Sequence, residues 1–174
     1  MKKTDDNASI KWLRTAIDAE KKALKNYLNY AHLTKETAGK NMFIQLALDE
    51  HGHMTALEKE LEQIQSGHKW QIIKLPESPI EQAVETIKPI DPDNTQNATN
   101  DETEAIMLAM KAEKKAMQFY QSQLKDETHP AAVKLLDRLV QMESAHYQIL
   151  QSELDNINQT GFWMGNREIS FEAE

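Results

Sequence analysis

The chain has 174 residues with 28 acidic and 20 basic side chains, a formal charge of -8, five glycines, five prolines and no cysteine. That length sits below the size at which one core has to split, so one domain over residues 1–174 is expected, and the scarcity of Gly and Pro beside abundant Ala, Glu, Lys, Leu and Gln excludes an all-β or collagen-like chain. The acidic balance argues against nucleic acid or an anionic membrane as partners, and the missing thiols exclude disulfides and thiolate metal centres, so any metal must sit on oxygen and nitrogen.

The first residues, MKKTDDNASIKW, hold no apolar run of signal-peptide length, and no segment approaches the ~18 apolar residues of a membrane span; a soluble cytoplasmic protein is expected. Residues 9–36 read as one helix, with Ser9 as N-cap, Ile10, Leu13, Ile17, Leu24, Leu28 and Ala31 at helical spacing, and Gly39 marking its end. Residues 41–65 repeat the style with Phe43, Leu46, Ala47, Met54, Leu57, Leu61 and Ile64 on one face and Gly67 past the last turn. These two helices form a hairpin over 9–66. The stretch 67–100 is too long for a hairpin loop and suits a crossover running back along a helix, with Trp70, Ile72, Ile73 and Leu75 packed on the bundle and a short helix from Ser78, where Pro79 and Glu81 supply a first-turn proline and a capping-box partner. A helix over 101–127, entered through a capping box at Thr99 to Glu102, and another from Pro130 to about Asn156 form a second hairpin over 101–157. Two hairpins and one long crossover give an all-α four-helix bundle of ferritin-like connectivity.

The chain repeats itself at an offset of 93 residues, which lays AIDAEKKALKNY from Ala16 over AMKAEKKAMQFY from Ala109 and LALDEHGHMTALEKEL from Leu46 over LVQMESAHYQILQSEL from Leu139. One register matches Glu20 with Glu113, Tyr27 with Tyr120, Glu50 with Glu143 and His53 with His146. Each Glu-x-x-His pair sits three residues apart on one helix face, so both side chains can reach one point. Glu20 lies in the inward stripe between Ile17 and Leu24, and Glu113 lies between Met110 and Met117. Four carboxylates cannot be buried together uncompensated, and two divalent cations supply the compensation. Two Glu and two Glu-x-x-His pairs, one contribution per helix, match the di-iron or di-manganese carboxylate pattern of such bundles.

On these residues the chain resembles the ferritin-like superfamily, and within it the rubrerythrin and bacterioferritin branches. The resemblance implies two irons, with manganese or a mixed pair as alternatives: Glu20 and His53 hold one, Glu113 and His146 the other, and Glu50 and Glu143 bridge them. It implies that Tyr27 and Tyr120 hydrogen-bond to carboxylates of the opposite half. It also implies redox chemistry in which hydrogen peroxide or dioxygen is reduced; because this cysteine-free chain has no rubredoxin domain, a separate donor protein supplies electrons. The other reading of the same ligands is a ferroxidase or an iron-binding or storage protein, and a third is a bundle that binds metal without turnover. Rubrerythrins usually carry a further Glu three residues after the ligand Glu of the third helix; here that position is Ala116, matched by Ala23, so the redox-linked ligand exchange that Glu permits is expected to be absent.

Asp49, whose counterpart is Met142, is a candidate to orient a ligand histidine or is a solvated acid. His51, His68 and His129 are read as surface residues and His32 as structural. EKKALK and EKELEQ are read as solvated faces, and the methionines as core filling. The C-terminal tail 158–174 brings Phe162, Trp163, Met164, Ile169 and Phe171 within ten residues. It is expected to dock on the bundle or on a second copy in a homodimer.

Overall fold

The computed structural model describes residues 3–86, 100–161 and 163–164. Among them are five helices and no strand: α1 (Lys3–Leu33), α2 (Thr37–Gln65), α3 (Pro79–Thr86), α4 (Asn100–Leu124) and α5 (Pro130–Thr160). None of these helices is long and apolar enough to cross a membrane. The fold is an all-α ferritin-like bundle. α1 packs along α2 and α4 along α5, while α3 lies against α5 and touches α2. Tyr27 meets Glu113 and Tyr120 meets Glu20, so α4 runs opposite to α1. His53 lies beside Glu143 and His146 beside Asp49, so α5 runs opposite to α2. The long crossover is what allows both antiparallel pairings.

The apolar core falls into two clusters. Tyr27, Phe43, Leu46, Ile106 and Ile149 lie in one, with Ile80 of α3. Trp12, Leu13, Leu57, Tyr120, Leu136 and Leu139 lie in the other. On each of the four long helices the inward Glu falls between the residues given to the two clusters, so the carboxylates form a polar layer between apolar ones. Each fully buried Leu or Phe contributes ~1.5–3 kcal/mol, and the two clusters together hold the layer in place.

The helix ends differ from the sequence reading where tertiary contacts decide them. α1 starts at Lys3, and Ser9, instead of capping it, donates its hydroxyl to Glu127 Oε2 at 3.2 Å, the atom that also accepts Trp12 Nε1 at 3.1 Å. Glu127 itself lies past the end of α4, where its Oε1 accepts the backbone N–H groups of Thr128 and His129 at 3.0 Å each. Gly39 does not end α1: it is a buried residue of α2, and a Cβ there would come within 2.4 Å of the Trp163 indole. The glycine is required by the close approach of that ring. Pro130 occupies the first turn of α5 as expected, and the helix runs past Asn156 to Gly161, whose left-handed φ of 79° terminates it. Leu28 and Ile72, read as packed, are 52 % and 62 % exposed, whereas Trp70 and Leu75 do pack against the second cluster. The capping box at Ser78 is present: Glu81 Oε2 accepts Ser78 N–H at 2.9 Å and Ser78 Oγ accepts Glu81 N–H at 3.3 Å. The same Glu81 carboxylate takes both guanidinium nitrogens of Arg138, which ties α3 to α5. Thr99 of the second capping box lies outside the described residues.

The tail docks on the bundle through Trp163 and Met164, both 7 % exposed; Phe162, Ile169 and Phe171 lie outside the described residues. Trp163 sits edge-on to Phe43 with ring centroids 5.7 Å apart, and Met164 N–H donates to Glu153 Oε2 at 3.0 Å. The repeat extends to this contact. At the same offset of 93, Glu60 corresponds to Glu153 and Trp70 to Trp163. Glu60, read as part of a solvated face, is fully buried and its Oε1 accepts Gln71 N–H at 2.9 Å. Each hairpin is thus followed by a segment locked back onto it by one Trp and one buried Glu. Trp163→Ala is expected to cost about 3–5 kcal/mol in denaturant unfolding, as for other buried aromatics, and a loss below about 1 kcal/mol would show that the docked ring adds nothing.

Candidate metal centre

The six duplicated carboxylate and imidazole residues meet in the polar layer. Glu20, Glu50, Glu113 and Glu143 are 1–2 % exposed and His53 and His146 are fully buried. Helical spacing does this: three residues separate each Glu from its His on α2 and α5, and the antiparallel pairings bring the four helices to the same level. His53 Nδ1 lies 3.3 Å from Glu143 Oε1, 3.5 Å from Glu20 Oε2 and 3.7 Å from Glu50 Oε2. His146 Nδ1 lies 3.1 Å from Glu50 Oε1, 3.7 Å from Glu143 Oε2 and 3.8 Å from Glu113 Oε2. The two imidazoles stack with centroids 5.6 Å apart.

Two overlapping quartets offer four donor atoms within 4.8 Å of one another: Glu20, Glu50, His53 and Glu143, and Glu50, Glu113, Glu143 and His146. Glu50 and Glu143 are common to both, as bridging ligands must be. The donor set fits cations on a direct observation. Among the described residues, Glu50 Oε1, Glu143 Oε1, His53 Nδ1 and His146 Nδ1 are buried without a hydrogen bond of acceptable geometry. Each such atom costs about 1–3 kcal/mol if nothing satisfies it. Oxygen and imidazole donors in this number suit iron, manganese or zinc.

Without cations, protons compensate the cluster. Burial, reinforced by the charges of Glu50 and Glu143, holds Glu20 and Glu113 well above the usual carboxylate range. Burial acts on Glu50 and Glu143 too, reinforced at Glu50 by the Glu143 charge, but the proton-bearing groups beside them outweigh it: Glu20 and the two histidines bring Glu50 below the ordinary value, and Glu113 and the two histidines bring Glu143 well below it. Burial opposes charge on the histidines, yet the surrounding carboxylates, Glu143 foremost for His53 and Asp49 for His146, raise both well above the ordinary value.

Tyr27 donates its hydroxyl to Glu113 Oε1 and Tyr120 donates to Glu20 Oε1, each crossing to the other half of the repeat. Burial and those carboxylates keep both phenols well above their ordinary range, so they remain protonated donors. Asp49 is buried, and its Oδ2 lies 3.1 Å from His146 Nε2. Of the other histidines, His32, His51 and His68 are exposed. His129 has a structural task, since its Nδ1 accepts Ala131 N–H at the start of α5 and its ring stacks on Trp70 at 5.9 Å. A cleft of about 500 Å³ opens between α1 and α4 onto Glu20, Glu50, Glu113 and Glu143; Ala19, Ala23, Ala112 and Ala116 line it, with Lys22, Lys111 and Lys115. The alanines duplicated beside Glu20 and Glu113, Ala116 and Ala23 among them, are the sequence signal for this opening.

The rubrerythrin family profile matches residues 11–154. No curated protein matches this chain. Among solved structures, a hypothetical protein from Pyrococcus furiosus is similar with a TM-score of 0.64 and 27% sequence identity, over 86% of this chain and 89% of that one. A profile match that runs from the start of the first aromatic core residues to the last turns of α5, and so takes in every member of the buried cluster, shows that this chain belongs to the rubrerythrin family of di-iron carboxylate proteins.

Proposed function

We propose that the chain is a redox protein that reduces hydrogen peroxide, or dioxygen, using electrons from a separate donor protein. The observation that carries this reading is the buried duplicated donor set lying directly beneath an open cleft. Glu20, His53, Glu113 and His146 would hold the two irons, with Glu50 and Glu143 between them, and the bound pair would supply the two electrons of peroxide reduction as it passes from diferrous to diferric. The alanines of the cleft wall leave the carboxylate layer within reach of a small oxidant, where larger side chains would cover it. Tyr27 and Tyr120 fix one oxygen each of Glu113 and Glu20, which limits the orientations these carboxylates can take. Reducing peroxide to two waters also consumes two protons, which the open cleft can admit from solvent.

Anaerobic stopped-flow mixing of the diferrous protein with peroxide tests this reading. Oxidation much faster than that of free Fe(II) is expected; oxidation no faster than free Fe(II) would sink it. Sedimentation separates the remaining alternatives, with a homodimer expected and a 24-subunit cage favouring storage.

A further inference from the structure

The two halves of the repeat place their histidines alike but do not support them alike. Both Nδ1 atoms face the carboxylates, and both Nε2 atoms point away from them. His146 Nε2 has a partner in Asp49 Oδ2 at 3.1 Å, and Asp49 is held in turn by Gln45, whose Nε2 donates to its Oδ1 at 3.1 Å. Among the described residues His53 Nε2 is buried with no hydrogen-bond partner. The repeat explains the difference, because Met142 occupies the position that corresponds to Asp49, and it is buried at 3 % exposure. A thioether accepts a hydrogen bond weakly and carries no charge.

An imidazole that gives Nδ1 to a cation keeps its proton on Nε2, and a carboxylate accepting that proton fixes the ring and makes Nδ1 a stronger donor. Glu50 and Glu143 are shared by both quartets, and Tyr27 and Tyr120 serve Glu113 and Glu20 equivalently, so these groups do not distinguish the halves. Asp49 does. We propose that the two cation positions are inequivalent, that the Glu113–His146 position fills first, and that Asp49 is the positioning residue responsible. This rests on the six residues holding two cations. Loss of such a supporting partner typically lowers metal affinity by about 10- to 100-fold, which sets the expected separation between the two positions.

The test is titration of the metal-free full chain with Co(II) alone, followed by calorimetry and by the visible absorption of bound Co(II). Two steps separated by about 10-fold or more are expected. Glu20→Ala should retain the tighter step and Glu113→Ala should lose it, which locates that step at His146. Asp49→Asn should weaken the tighter step selectively, whereas general damage to the bundle would weaken both. Met142→Asp, which adds a carboxylate on the His53 side, should strengthen the weaker step and provides a second route if the Asp49 variant folds poorly. The proposal is overturned if wild type binds both ions with equal affinity, or if the tighter step survives Glu113→Ala and vanishes in Glu20→Ala. Those results leave the two-cation reading intact; absence of Co(II) binding, or binding that Glu143→Ala does not affect, overturns that reading as well.

Discussion

Glu143→Ala and Glu50→Ala should each release both metal ions, whereas Glu20→Ala or Glu113→Ala should release one and His51→Ala none. The pattern follows from membership of the two quartets: Glu50 and Glu143 belong to both, Glu20 and Glu113 to one each, and His51 to neither, being exposed on α2. Metal analysis of the purified variants measures it, and equal metal content in all five would refute the ligand assignment. Stability should follow the metal. With free cation at about 100 times its dissociation constant, one bound ion adds about 2.7 kcal/mol, so two ions raise the melting temperature by roughly 10–20 °C for a chain of this size. Chelation should reverse that rise in wild type and should have little left to remove in Glu143→Ala.

Cation uptake should displace up to about four protons per chain near neutral pH, one each from Glu20, Glu113, His53 and His146, the groups whose affinity for protons the fold raises. Calorimetry in buffers of different ionisation enthalpy counts them directly, and release of fewer than about one proton would contradict the proton-compensated layer. The metal-free protein should show the matching pH dependence. A group whose proton is bound more tightly in the folded state stabilises the fold below its ordinary pKa and loses that contribution as pH rises through the folded value. For the two glutamates the loss starts above the carboxylate value of 4.5, and for the two histidines above 6.5. Glu50 and Glu143 act with the opposite sign and withdraw their contribution only as pH falls through their lowered values. Metal-free melting temperatures should therefore fall from mildly acidic toward alkaline pH, while the metal-loaded protein should gain over the same interval.

Much of this was legible in the sequence because two periodicities coincide in it. The 3.6-residue recurrence of apolar positions gave the four long helices, and the offset of 93 selected the two Glu-x-x-His pairs and the two inward glutamates from 28 acidic residues. The misreadings share one cause, which is that local chemistry does not say what a residue meets across the fold. Gly39 has the composition of a helix stop and is instead the floor under Trp163. Ser9 has the chemistry of a cap and serves Glu127, 118 residues away in the connection of the second hairpin. Glu60 sits in a run of charges and is nonetheless buried, because the segment after the hairpin returns to place Gln71 N–H on it. Leu28 keeps the helical period yet lies at the edge of the stripe, where it is 52 % exposed among the described residues.

Each quartet takes three ligands from one half of the repeat and one from the other: Glu20, Glu50 and His53 with Glu143, and Glu113, Glu143 and His146 with Glu50. Neither hairpin alone completes a cation site, but two copies of a single hairpin related by a twofold axis would complete two. The chain thus has the form of a symmetric dimer whose protomers have been fused through the crossover. In such a dimer any substitution appears on both sides of the axis at once, and the two positions must remain identical. Fusion removes that constraint, so that one half can carry Asp49 where the other carries Met142. The covalent link between the hairpins is accordingly what allows two sites built from one repeated ligand set to have different surroundings.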